Sequence, residues 1–372
     1  MAISTQDYSF MARALRLAER GLYTTDPNPR VGCVLVKNGE IVGEGWHERA
    51  GEGHAEVNAL RAAGDSARGS DCYVTLEPCS HFGRTPPCAE ALVKAGVGRV
   101  VAAMEDPNPN VAGRGLALLR NAGIEAHAGC MAAEADELNI GFFQRMRTGR
   151  PWVRVKVASS LDGKSALHNG VSKWITGGAA REDVQKLRAR SSAVITGIGT
   201  VIADDPSLNV RSQELERICN GKLRQPLRVV LDSQLRFPAD SNMLKLPGKI
   251  LLVTCSDVPE SWLAQRQNSE ADFEVLKLTG ENGRIDLTAL LSALASRECN
   301  EVLVEAGANL AGAFVAQGLA DEIWTYIAPK LMGEGRPAFV LPCFDQMDQV
   351  LSLKLNEVRQ VGDDVRMIWR KG

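Results

Sequence analysis

The chain has 372 residues, room for about two domains, with 43 Lys and Arg against 45 Asp and Glu and 45% hydrophobic residues. A net charge of −2 leaves no electrostatic footprint for nucleic acid, and no apolar run is long enough to span a bilayer. Met1 to Asp7 lack the basic start and apolar core of a signal peptide, and nine scattered cysteines read as reduced thiols of a cytoplasmic protein rather than a disulfide framework.

Tyr8 to Arg20 has a helical pattern with Met11, Ala14, Leu15 and Ala18 on one face; Asp7 is its expected cap and Gly21 its stop. Val31 to Val36 and Ile41-Val42 flank Asn38-Gly39, a strong hairpin signal. Gly51 to Gly53 lead into a helix starting near His54, with Leu60 and Ala63 toward the core. Val74 to Leu76 form a short buried strand, and Pro87 opens a helix to Ala95. Strand Arg99 to Met104, helix Gly115 to Ala122, strand Ile124 to Ala128 and one long helix Met131 to Arg147 complete a three-layer α/β domain.

The chemistry of this half concentrates between His54 and Cys88. His54, Cys79 and Cys88 are expected to ligate zinc, and three protein ligands leave the fourth tetrahedral position to water, as in catalytic zinc. Glu56, two residues after the histidine, is the expected proton carrier. That set suits hydrolytic deamination of a nucleobase-like ring. It departs from the P-C-x-x-C spacing of zinc deaminases, because eight residues separate the two cysteines. Cys88 near a helix N-terminus favours a thiolate.

Thr148-Gly149-Arg150-Pro151 breaks the pattern, and the boundary is expected there, giving domains 1–149 and 150–372. The second half reads as another α/β series: strands at Trp152–Ser159, Ala193–Thr196, Leu227–Leu231, Lys249–Val253, Phe273–Leu278 and Glu301–Val304, helices at Ala180–Arg190, Leu287–Ala295 and Leu310–Gln317, and a closing hairpin from Leu351–Val358 and Val365–Trp369. Strand, small-residue loop and helix at Gly307-Ala308-Asn309-Leu310-Ala311-Gly312-Ala313 suit a pyrophosphate. Gly197-Ile198-Gly199-Thr200 is a second such loop; each alone is weak, and together they favour a dinucleotide.

The run Glu77-Pro78-Cys79-Ser80-His81-Phe82-Gly83-Arg84-Thr85-Pro86-Pro87-Cys88, with Asp26-Pro27-Asn28-Pro29-Arg30-Val31-Gly32, resembles the bifunctional riboflavin-biosynthesis deaminase/reductase family. So do Lys156 to Lys164, Trp174-Ile175-Thr176-Gly177, Asp204 to Arg211, Val230-Leu231-Asp232-Ser233 and Glu305-Ala306-Gly307, so the resemblance covers nearly the whole chain. It implies a cytidine-deaminase-like α/β/α domain followed by a dihydrofolate-reductase-like α/β domain. In the first, Asn28 and His47 would contact the pyrimidine and Arg84 its phosphate, with Asp106, Asn108 and Asn110 near the ribose phosphate. In the second, Ala158, Trp174, Thr200, Asp204, Ser233 and Gly307 to Ala313 would contact NADPH. Ser172, Arg188, Leu208, Arg211 and Glu305 would hold substrate; the arginines suit its phosphate. Lys156 and Asp204 are candidate acids for the hydride step through the resemblance only. The family also implies a homo-oligomer, dimer or tetramer, through the reductase half. Two other readings compete: a zinc deaminase acting on nucleosides or nucleic acid, and a non-catalytic protein on the same fold.

Overall fold

The structure, a computed structural model, describes residues 3–80, 87–108 and 112–372. Its contacts divide it into two units, Met1–Arg150 and Pro151–Gly372.

In the first unit the chain runs α1 (Thr5–Glu19), β1 (Gly32–Lys37), β2 (Glu40–Trp46), α2 (Ala55–Ala63), β3 (Asp71–Val74), α3 (Cys88–Ala95), β4 (Arg99–Ala102), α4 (Arg114–Asn121), β5 (Glu125–Ala128), α5 (Ala132–Leu138) and α6 (Ile140–Thr148). The sheet order is β2-β1-β3-β4-β5, with β1 antiparallel to both neighbours and β3, β4 and β5 parallel. Residues of α1 and α5 (Met11, Ala14, Leu15, Ala135) pack on Val34, Val36, Tyr73 and Val101 of one face. Ala59, Leu92, Leu116 and Leu119 of α2, α3 and α4 pack on Cys33, Leu35, Cys72 and Val100 of the other. The alternation of the strands therefore feeds two cores, which makes the unit three-layered. Asn38 and Gly39 both take positive φ, as a two-residue turn with right-handed twist requires.

Two expectations for this unit are corrected. Ser4, not Asp7, caps α1; Asp7 is the third helical residue and returns a bond to Ser4 N, closing a capping box. The long helix from Met131 is two helices, because Asn139 leaves helical geometry at φ −112°. Its side chain accepts from Arg30 N at 2.7 Å and donates to Arg30 O at 2.9 Å, while the Arg30 guanidinium donates to Leu138 O at 2.8 Å. A distant backbone thus competes for the helix bonds at that point.

The second unit runs β6 (Trp152–Ser160), β7 (Lys164–Leu167), α7 (Gly178–Arg190), β8 (Ala193–Gly197), α8 (Ile198–Asp204), α9 (Gln213–Ile218), β9 (Leu227–Leu231), β10 (Gly248–Thr254), α10 (Glu260–Gln267), β11 (Ala271–Lys277), α11 (Leu287–Ser296), β12 (Glu301–Glu305), α12 (Ala308–Ala316), β13 (Glu322–Ala328), β14 (Gly335–Pro337), β15 (Leu353–Val361) and β16 (Asp364–Lys371). Nine strands form one sheet in the order β11-β10-β9-β8-β12-β6-β13-β16-β15. It is parallel from β11 to β13 and antiparallel at the β13–β16–β15 end. Strand β13 is absent from the sequence reading. It lies beside β6, paired Thr325 to Val157, and its apolar run is short enough to pass for loop until the sheet supplies its partner.

Candidate active sites

The zinc candidate is built where α2 and α3 begin. Helix α2 sits close on β2 because β2 has glycines there: a Cβ at Gly45 would lie 2.4 Å from Ala59 N, and one at Gly43 2.5 Å from Ala59 O. Asn58 fixes the approach to the helix by donating to Trp46 O at 2.8 Å and Gly53 O at 3.2 Å. His54 is thereby the N-cap of α2, and Glu56 lies in its first turn with only 3% exposure. Cys88 is the first residue of α3, and its N–H donates to Cys79 Sγ at 3.3 Å.

The three ligand atoms lie within 4.8 Å of one another. His54 Nδ1 is 3.3 Å from Cys88 Sγ and 3.7 Å from Cys79 Sγ. In a tetrahedral site with Zn–S near 2.3 Å and Zn–N near 2.1 Å the N-to-S edge is about 3.6 Å, so the donor set fits zinc in chemistry and spacing. A hydrogen bond from the Cys88 thiol, with others from His54 and the Cys88 N–H, outweighs burial and holds the Cys79 thiol down to about 4. Sharing that proton pushes Cys88 up. Burial, with the Cys79 sulfur beside it, pushes the Glu56 carboxyl up to about 7.

His47 and Asn28 stand beside this centre. The His47 ring meets the His54 ring edge-on at 5.4 Å between centroids. Asn28 Nδ2 lies 3.1 Å from His47 Nε2, and His47 Nδ1 lies 3.1 Å from Gly53 O. The amide can only donate and the carbonyl only accept, so the ring carries its proton on Nδ1. Burial lowers the His47 pKa, consistent with that neutral form. Arg84 and Asn110 lie outside the described residues. Asp106 accepts from Asn108 N at 2.8 Å, a turn that orders the start of the loop after β4.

Glu77 is a participant to which the sequence reading gave no role. Its buried carboxylate accepts four backbone N–H groups: Asp106 at 3.1 Å and Gly113 at 2.9 Å on Oε2, Gly115 at 2.8 Å and Leu116 at 3.1 Å on Oε1. The same residue leads into Pro78-Cys79, and Gly115 lies so close that a Cβ there would meet Pro78 O at 1.9 Å. Glu77 therefore ties the ligand segment to both ends of the loop between β4 and α4.

The second unit holds a cleft of about 1430 Å³ at the C-terminal ends of β6, β8 and β12. It is lined by Ala158, Ser172, Trp174, Arg188, Thr200, Asp204, Leu208, Arg211 and Glu305, and by Gly307 to Leu310, which open α12. Expected contacts that do not line it are Ser233, Ala311, Gly312 and Ala313. Ala311 is wholly buried in the core, Ala313 packs against the same core, and a Cβ on Gly312 would meet Val340 O at 1.9 Å. The turn into α12 therefore faces the cleft, while its next turn packs on the sheet. Ser233 offers its carbonyl to Ser256 Oγ at 2.8 Å instead.

Arg188 grips Glu305 through two bonds of 2.6 and 2.9 Å and donates to Asn209 O at 3.2 Å. Burial would raise the Glu305 carboxyl, but the Arg188 guanidinium holds it below its ordinary value. Lys156, opposite Glu305 across the β6–β12 ladder, is shifted down by burial, with Glu305 opposing the shift. Arg211 donates to Asn209 Oδ1 at 3.5 Å, and its charge is felt at Glu305. Trp174 is 64% exposed, with the Arg181 guanidinium 4.5 Å above its ring, and Lys173 reaches Asp204 at 3.5 Å.

A deaminase-type metal centre on an α/β/α unit and a nucleotide-sized cleft on a mainly parallel sheet define a two-site enzyme of the deaminase-plus-reductase class. Residues 4–104 match the cytidine and deoxycytidylate deaminase zinc-binding region, and residues 151–367 match the RibD C-terminal domain. The riboflavin biosynthesis protein RibD of Escherichia coli (strain K12) is 50% identical over 97% of this chain and 98% of its own length. Form 1 of Acinetobacter baumannii RibD superposes with a TM-score of 0.91 at 48% identity, covering 99% of both chains. A diaminohydroxyphosphoribosylaminopyrimidine deaminase/5-amino-6-(5-phosphoribosylamino)uracil reductase from Thermotoga maritima gives 0.83 at 32% identity over 99% of both chains. The chain belongs to the RibD family of riboflavin-biosynthesis enzymes, which joins a zinc-binding deaminase to a reductase that uses NADPH.

Proposed function

We propose that the chain deaminates 2,5-diamino-6-(5-phosphoribosylamino)pyrimidin-4(3H)-one by hydrolysis in residues 1–149 and then reduces the ribosyl group of the product to ribityl in residues 150–372. The observation that carries the first step is the clustering of His54, Cys79 and Cys88 around one point with Glu56 buried beside it. His54, Cys79 and Cys88 would hold zinc there, and zinc would supply the Lewis acidity that makes water a nucleophile at neutral pH. Glu56 takes the proton of the attacking water and delivers it to the ring nitrogen and the departing ammonia. Its burial supports that shuttle, because a carboxyl in an apolar setting accepts and releases a proton near neutrality. His47 and Asn28 hold the pyrimidine edge, and Arg84 its phosphate.

For the second step, NADPH bound in the cleft would supply the hydride that reduces C1 of the opened ribose. Ala158, Trp174, Thr200, Asp204 and Gly307 to Leu310 would hold NADPH, and the start of α12 suits its pyrophosphate. Ser172, Leu208, Arg188, Arg211 and Glu305 hold the substrate. Lys156 is the proton donor we favour over Asp204, since Asp204 is engaged by Lys173. We further infer a cytoplasmic homo-oligomer formed through the reductase half. All nine cysteines are free thiols, and the edge strand β15 exposes Leu353, Leu355 and Val358. Among the described residues no helix is long and apolar enough to cross a membrane.

The test is made on zinc-replete protein with the phosphoribosylamino-diaminopyrimidinone. Ammonia is followed without NADPH, then absorbance at the reduced-nicotinamide band after NADPH is added. Ammonia first and NADPH loss second is the expected order. Ammonia alone would leave a deaminase with an unexplained second unit.

A further inference from the structure

The cleft of the second unit runs across the sheet, and its lining separates into two ends. At one end Lys156, Arg188 and Arg211 gather around Glu305, beside β6 and β12. In the middle stand Gly197 to Thr200 after β8 and Gly307 to Leu310 after β12. At the other end is β9, where Leu231 pairs with Gly197 and also lines the cleft. From β6 to β9 is three strand intervals, about 14 Å. A dinucleotide whose reactive ring lies at the Glu305 end and whose pyrophosphate lies on the central loops must place its adenosine half toward β9.

We propose that Arg236 reads the 2′-phosphate of that adenosine and so sets the preference for NADPH over NADH; this rests on the reading of the cleft as the reductase cofactor site. Arg236 lines the cleft and is exposed, five residues beyond the end of β9. Of the seven cations that line the cleft among the described residues, three are committed elsewhere, Arg188 to Glu305, Lys173 to Asp204 and Arg181 to the Trp174 ring and Thr176 O. Lys156 and Arg211 belong to the Glu305 end, and Arg336 lies on β14 opposite Ala166 of β7, leaving Arg236 as the cation that follows β9. Arg236 has no ion pair among the described residues. The turn that carries it is fixed. Asp232 accepts from Phe237 N at 2.8 Å and from Gln234 N at 3.4 Å, Trp262 Nε1 donates to Leu235 O at 3.1 Å, and Phe237 beneath is fully buried. Leu235 takes a φ of +57°, a conformation held only because its neighbours are pinned on both sides. The Asp232 carboxylate at the base of the turn accepts the Arg236 N–H and feels its charge, but it is spent on the turn's backbone and forms no ion pair with the exposed guanidinium. A guanidinium presented in this way suits a dianionic phosphate, which arginine binds through paired N–H donors.

The experiment measures kcat/KM for NADPH and for NADH on the full zinc-loaded protein with the deaminated substrate, in wild type, Arg236→Ala and Arg236→Lys. The expected result is that Arg236→Ala lowers the NADPH-to-NADH ratio about ten- to a hundredfold, as loss of a charge-assisted phosphate contact predicts, mostly through KM for NADPH. Lysine restores part of the ratio, since it keeps the charge without the fork. A general packing defect would depress both nucleotides together and leave the ratio where it was. A ratio within twofold of wild type in Arg236→Ala overturns the assignment. Wild-type protein that consumes neither nucleotide overturns the cofactor reading beneath it as well.

Discussion

Replacing Glu77 by glutamine removes one charge and almost no volume, so its effect isolates the carboxylate. Both oxygens of Glu77 accept, each from two backbone N–H groups. A carboxamide keeps one acceptor oxygen and turns an NH₂ toward the other pair of donors. Two charge-assisted bonds are lost, each worth about 1.5–3 kcal/mol, which makes about 3–6 kcal/mol locally. The loss falls on the loop after β4, on the start of α4, and through Pro78 on the ligand Cys79. Hydrogen exchange over residues 104–117 should accelerate by at least about a hundredfold, since each 1.4 kcal/mol is a factor of ten. Zinc should be released faster to a chelator and ammonia formation should fall, while NADPH oxidation with supplied deaminated substrate continues. Wild-type exchange rates together with normal zinc retention in Glu77→Gln would refute the role given to this carboxylate.

Glu56→Gln should retain zinc, since Glu56 is not a ligand, yet lose deamination by about 10²–10⁴-fold or more; parallel loss of reduction would argue against two separate sites. Asp7→Asn should destabilise the first unit by about 3 kcal/mol, the low end for a broken buried ion pair, because Arg99 retains 16% exposure. Although burial opposes it, hydrogen bonding from Arg99, Ser4 and Tyr73 holds the Asp7 carboxyl well below the usual range. Its stabilisation is therefore complete above the unfolded value near 3.9 and is lost as pH falls below it. Wild type should lose stability between about pH 4 and 2 in acid titrations read by circular dichroism, and Asp7→Asn should show a flatter profile there; equal slopes would refute this. Arg211→Ala should raise KM for the reductase substrate about tenfold or more; an effect on NADPH affinity instead would reassign Arg211 to the cofactor.

The parts of this molecule legible in sequence are those whose cause is local. The hairpin at Asn38-Gly39, the ends of α3 and α11, and strand β9 follow from turn chemistry and apolar runs that need no distant partner. The zinc cluster was legible because two of its ligands, His54 and Cys88, sit where helices begin, positions marked by glycine at 53 and proline at 87, and the third, Cys79, follows the strand-and-proline run that ends at Pro78. The break at Asn139 was not, since its cause is the backbone of Arg30, more than a hundred residues away. Glu77 hid for the same reason: a glutamate before a proline looks solvated until the loop folds over it.

The reductase cleft carries this argument furthest. Its floor is made by β9, β8, β12 and β6, and in that series only β8 and β9 are consecutive in the chain. The family likeness could attach Ser233 to the cofactor, and the structure puts Arg236, three residues on, at the cleft wall, while Ser233 is not among the lining residues. A periodicity of two can say that β9 is a strand, but it does not fix which residue of the following turn faces the ligand. That depends on the positive φ at Leu235 and on two anchors that hold it there, a local one from Asp232 to Phe237 N and a long-range one from Trp262 to Leu235 O. If Arg236 sets cofactor selectivity, that selectivity depends on a turn shaped by one local and one tertiary contact, and substitutions at Asp232 or Trp262 should move it through Arg236 without touching the nucleotide.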